Sequence, residues 1–221
     1  SLTGQKKYTG KPYEVWNDGN NTINLLYKSF SDNKIVFEIP NQIKAGNAVI
    51  AIRDENDVIQ WSWHLWFSES QPGTLKYPAG ADGVRYDVMD RALGATHSLK
   101  IGSSSIEESL PSIFKAAWNA IKSALSSIFE SFIWNDGLYY QYGRKDPFSD
   151  VSTANVSTSS NVTHDNTIQN PTTFYSNWNP STNPWGESKS VDDPCPPGYK
   201  VPSSNVWRAE NPNKDGVSIL N

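Results

Sequence analysis

From residue 12 to residue 67, short runs of β-branched and aromatic side chains alternate with clusters of Asn, Asp, Gly and Ser, at a cadence of roughly ten residues. The runs fall at 13–16, 22–27, 34–39 and 47–53. The separators are Asn17-Asp18-Gly19-Asn20, Ser31-Asp32-Asn33 and Asp54-Glu55-Asn56-Asp57. Gly and Asn tolerate positive φ, and Asp caps its own backbone, so each separator reads as a turn. Strands this short and this regularly broken suit a sandwich or a meander. A fifth strand, 58–67, alternates: Ile59, Trp61, Trp63, Leu65 and Phe67 share one face, and Gln60, Ser62, His64 and Trp66 the other. The first set is the expected core face.

The rest of the chain reads differently. Residues 68–102 are rich in Gly and Pro and irregular, with one short strand expected at 84–89. Over 111–133, apolar residues recur at i, i+3 and i+4 (Ile113, Phe114, Ala117, Trp118, Ile121, Ala124, Leu125, Ile128, Phe129, Phe132), which predicts an amphipathic helix. Pro111 fits its first turn and Asn135-Asp136-Gly137 its stop. Its apolar face either packs on the same domain or docks a partner or a membrane. The few basic residues favour packing. Residues 149–170, a low-complexity run of Ser, Thr, Asn and Val, are expected to form an exposed loop. Aromatics then return at Phe174, Tyr175, Trp178 and Trp185.

Composition excludes several classes. A net charge of −4 and a pI near 5.4 argue against a nucleic-acid protein. Charged residues make up 19%, below the roughly 25% of ordinary soluble domains; Asn, Ser, Thr and Gly replace them. The one cysteine, Cys195, permits neither an intrachain disulfide nor a cysteine-based zinc cluster, and its proline neighbours describe a rigid turn. His64, His97 and His164 have no metal-ligand spacing. Phosphate-loop, dinucleotide and serine-hydrolase glycine patterns are missing, so neither a cofactor nor an enzyme is expected. Trp16-Asn17-Asp18, Trp134-Asn135-Asp136 and the cluster Glu187, Asp192, Asp193 could offer oxygen ligands to calcium, but turn formation explains the tripeptides. No apolar run is long enough to span a bilayer, and Ser1-Leu2-Thr3-Gly4 reads as a mature start.

Four blocks remain: Trp61-Ser62-Trp63-His64-Leu65-Trp66-Phe67, Met89-Asp90-Arg91-Ala92-Leu93-Gly94-Ala95-Thr96, 137–148 (Gly-Leu-Tyr-Tyr-Gln-Tyr-Gly-Arg-Lys-Asp-Pro-Phe) and 193–202 (Asp-Pro-Cys-Pro-Pro-Gly-Tyr-Lys-Val-Pro), the last followed by Trp207. In this order they resemble the paralogous surface domain of Fibrobacter and Bacteroides-type bacteria, which also ends many fimbrillin-like proteins. The final block is also similar to a segment of formylglycine-generating enzyme-like domains, which have a C-type-lectin-like fold.

The resemblance implies an α+β architecture. A β-rich, sandwich-like module at 1–57 would precede a loop-rich, C-type-lectin-like domain at 58–221, with the helix of 111–133 inserted and further C-terminal strands lacking. It implies an adhesin-like or fimbrial tip-like protein at the outer cell surface, binding host or microbial ligands without catalysis. The alternatives are a carbohydrate-binding module for glycan capture and a phage receptor-binding protein. Implied partners are other fimbrial subunits through strand addition, a glycan, or a host surface protein. The aromatics Trp178, Trp185 and Tyr175 are the expected ligand surface. Asp90, Arg91, Arg144, Asp146, Cys195 and Trp207 are expected to be structural, the arginines holding loops through carbonyls and carboxylates.

Overall fold

The computed structural model describes residues 10–18, 26–31, 34–38, 45–68, 70–76, 83–96, 137–150, 154–203 and 206. The helix expected at 111–133, the Trp134 tripeptide, His97 and Trp207 lie outside them. What is described is mostly strand with little helix, arranged in small sheets. The central sheet has three antiparallel strands in the order β1-β4-β5: β1 (Lys11–Asn17), β4 (Gly46–Arg53) and β5 (Ile59–Phe67). β2 (Leu26–Ser31) and β3 (Lys34–Glu38) form a separate hairpin, closed where Ser31 pairs with Lys34. The central sheet draws strands from both sides of the boundary expected after residue 57.

β4 is the core strand. Ala48, Val49, Ala51 and Ile52 are fully buried and Ile50 nearly so, which means both faces of the sheet are covered. On one face, Ala48 and Ile50 pack with Leu65, Phe67 and Ile35 of β3. On the other, Val49 lies opposite His64, and Ala51 opposite Ser62. The β4–β5 turn is built by Asp54. Its Oδ1 accepts the Asn56 and Val58 N–H groups at 2.9 Å each, and its Oδ2 accepts from Gln60 at 3.0 Å. Asp57 takes the left-handed conformation (φ 60°) that Asp tolerates.

The alternation of β5 holds, and Ile59, Leu65 and Phe67 of the expected core face are buried or packed on the core, but the sorting fails at Trp63 and Ser62. Trp63, placed on the core face by its sequence, is 37% exposed, whereas Ser62 on the other face is 1% exposed. The reason is that β5 is an edge strand and residues 137–148 cover its Ser62 and His64 side.

Several short elements depart from the sequence reading. The short strand expected at 84–89 is present as β7 (Asp87–Met89), but it pairs with a strand not expected, β6 (Thr74–Lys76), inside the stretch read as irregular. β8 (Tyr139–Tyr140) pairs with β9 (Pro147–Phe148). Within 149–170 the structure has strand β10 (Asn155–Ser157) and helix α1 (His164–Gln169), and β10 pairs in parallel with β11 (Thr173–Tyr175). Parallel neighbours need a crossover, which α1 supplies. The helix starts at a capping box: the Thr163 side chain accepts from Asn166 N–H, and the Asn166 side chain accepts from Thr163 N–H.

Candidate functional site

The four sequence blocks, far apart in the chain, converge around β5. Trp66 Nε1 donates to the Ala95 carbonyl at 3.0 Å, and Asn47 Nδ2 to the Gly94 carbonyl at 2.8 Å. Leu138 N–H donates to the Leu93 carbonyl at 2.7 Å. The contact between the second and third blocks requires glycine. A Cβ on Gly94 (φ +82°) would lie 2.5 Å from Leu138 Cγ, and one on Gly137 2.6 Å from Ala92 Cβ. The fourth block is tied in by Tyr199, whose hydroxyl reaches the Pro72 and Gly73 carbonyls at 3.3 Å.

A buried polar cluster joins the first and third blocks. Lys145 Nζ donates to both Asp146 carboxylate oxygens (2.9 and 2.7 Å), to the Ser62 carbonyl (2.9 Å) and to Ser62 Oγ. Ser62 Oγ itself donates to Asp146 Oδ2 at 2.8 Å. Burial draws the Lys145 ammonium down, and Asp146 opposes that shift. The ammonium also lies 4.5 Å from the centre of the Trp61 ring.

Beside this cluster, His64 Nε2 is 3.0 Å from Asn47 Oδ1, and His64 Nδ1 is 3.3 Å from the Tyr140 hydroxyl. Because Asn47 already donates through Nδ2, its Oδ1 must accept. The network therefore assigns the proton to Nε2, and Nδ1 accepts from Tyr140. Burial lowers the His64 pKa to about 4, only partly offset by Asp146, so the ring is neutral at physiological pH. Burial also pushes the Tyr140 phenol up.

Three further charged groups hold loops. The Arg144 guanidinium, 3% exposed, donates to the carbonyls of Thr173, Thr167, Asn170 and Pro171 and to Gln141 Oε1. Burial draws it down to about 10, still charged at neutral pH. Arg91 grips both oxygens of Asp90 and reaches Ser70 and Gln71, and its hydrogen bond holds the Asp90 carboxyl below the usual range. Burial opposes ionisation of Asp193. Hydrogen bonds from Lys189 and from the Val201 and Cys195 N–H groups outweigh it and keep that carboxyl low. Cys195 is partly buried, and burial, with Asp193 alongside, pushes its thiol up to about 12.

Among the described residues, the concave surfaces include two beside these loops. The first is a small cleft of about 260 Å³ walled by Trp178, Pro180, Pro184 and His164, whose Nε2 lies 3.0 Å from Asp192 Oδ1. Trp178 Nε1 donates to the Tyr142 carbonyl at 2.8 Å, and Trp185 meets the Tyr142 ring edge-on at 5.3 Å. Tyr142 is 41% exposed, while Trp178 and Trp185 are half-buried. Tyr175 is withdrawn from this surface. It is buried, its carbonyl accepts from Gln141, and its hydroxyl donates to the Asn166 carbonyl.

The second is a groove of about 450 Å³ beside β5, lined by Trp63, Trp66, Pro194, Pro196, Lys145 and Asp146 among others. Sequence reasoning assigned Trp63 to the core and did not foresee this groove. A Trp-x-Trp-x-x-Trp strand was the available signal. Among the described residues no group of three or more His, Cys, Asp or Glu side chains could hold a metal ion, and Asp192 and Asp193 are engaged separately by His164 and Lys189. No described helix is long and apolar enough to cross a membrane. Family models, curated proteins and solved structures yield no match to this chain.

Proposed function

We propose that this chain is a cell-surface binding protein of the adhesin-like or fimbrial tip-like kind, with a lectin-like arrangement of loops that engages host or microbial surface ligands without catalysis. The observation that carries the reading is the aromatic edge of Tyr142, Trp178 and Trp185, set on loops fixed by buried hydrogen bonds from Arg144. Irregular loops on a fixed support are where binding surfaces concentrate, and rigid aromatics bind at low entropic cost. The extracellular setting rests on the resemblance of the four blocks.

A role as a glycan-capture module is favoured by the same aromatics. Assembly by strand addition along β5 is left out of the proposal, because an incoming strand meets Lys145 already seated on the Ser62 carbonyl. The test is binding of the chain to arrays of glycans and matrix proteins, repeated with Tyr142→Ala and Trp178→Ala. We expect at least one ligand whose binding falls tenfold or more in both variants at unchanged thermal midpoint. Absence of any ligand, or binding indifferent to both substitutions, overturns the reading.

A further inference from the structure

We propose that the groove along β5 is a second binding site, separate from the Tyr142 edge, and that it takes an uncharged saccharide chain laid against the exposed indole of Trp63. At about 450 Å³ the groove lies within the roughly 300–1,000 Å³ range of small-ligand sites. Its lining includes indole and proline side chains, which suit the C–H faces of pyranose units. Trp63 is 37% exposed, and its indole N–H has no hydrogen-bond partner among the described residues, so a donor stands at the rim for a sugar hydroxyl.

The charges select against other occupants. Lys145 is neutralised by both oxygens of Asp146, and Asp193, at the far wall, by Lys189. Neither wall therefore offers an uncompensated charge to an anionic or cationic ligand. The polar atoms at the base are also spent on one another. Ser62 Oγ both donates and accepts, Lys145 is shared between Ser62 and Asp146, and both His64 nitrogens are engaged. A saccharide stacks by its ring faces and leaves its equatorial hydroxyls at the water-filled edge.

The test is titration of the full chain with cellohexaose, xylohexaose and mannohexaose, with a heparin-derived hexasaccharide and decaproline as the charged and peptide comparisons. The readouts are tryptophan fluorescence and the indole N–H resonances, Trp63 being assigned through Trp63→Phe. We expect one of the neutral hexasaccharides to shift the Trp63 indole in the unsubstituted protein. Trp63→Ala should weaken that binding tenfold or more, Trp63→Phe should weaken it less, and Trp178→Ala should leave it unchanged. The proposal is overturned if no neutral hexasaccharide moves the Trp63 resonance, or if heparin or decaproline binds in preference. Binding lost in Trp178→Ala but kept in Trp63→Ala would also overturn it, while leaving the adhesin-like reading in place.

Discussion

At His64 the ring is enclosed by Asn47 and Tyr140, both of which bind its neutral form. Its pKa is about 4 in the folded chain against an ordinary 6.5. Protonation therefore favours the unfolded chain between these values. The contribution to stability is complete above pH 6.5, is lost as pH falls toward 4, and amounts to on the order of 3 kcal/mol. Urea midpoints measured at pH 7 and pH 4.5 should drop steeply for the natural chain. His64→Gln should start lower at pH 7, having lost the acceptor for Tyr140, but change less between the two pH values. Parallel curves would show that His64 does not set the acid response. The arginines belong to the same scale. Their residue type alone foretold loop-holding by carbonyls, since a buried guanidinium has five donors to satisfy. Arg144 is found on four backbone carbonyls. Which carbonyls it would meet was not legible, because they lie 23 to 29 residues away.

The elements divide by how local their causes are. The hairpin of β4 and β5 was readable because period-2 alternation and an Asp-rich turn sit within one stretch of sequence. Its turn gives a direct test. Asp54→Ala leaves the Asn56 and Val58 N–H groups and the Gln60 amide without their acceptor, and we expect a loss of about 1–2 kcal/mol by chemical denaturation. A loss within error would mean that pairing with β4, not the turn, fixes the hairpin. In contrast, β6 and β10 have three residues each, too few for any periodic signal, and exist only through their partners. Helix α1 escaped notice because Asn166 replaces the Glu or Gln expected three residues after a Thr cap.

Across the whole molecule, the join between β5 and the 137–148 block rests on a charge pair largely removed from water. The Lys145 and Asp146 side chains are 11% and 4% exposed. Asp146→Ala should cost on the order of 3–5 kcal/mol, because it strands a buried ammonium. Lys145→Met combined with Asp146→Ala should cost less than Asp146→Ala alone, a non-additivity that a double-mutant cycle of urea midpoints reads directly. Additive losses would mean that the ammonium finds water or another partner and that the pair does not lock the two blocks.

By itself the sequence determined the strands β1, β3, β4 and β5, the Asp54 turn and the demand of Arg91 and Arg144 for oxygen acceptors, because each depends on neighbours in the chain or on the chemistry of one residue type. Tertiary structure decided that the Ser62 and His64 face of β5 would be covered as well as the apolar one. Alternation separates Ser62 and His64 from Trp61 and Trp63 but carries no label for inside. The label came from Lys145 and Asp146, more than eighty residues downstream, whose ion pair needed Ser62 and left Trp63 at the rim of a groove.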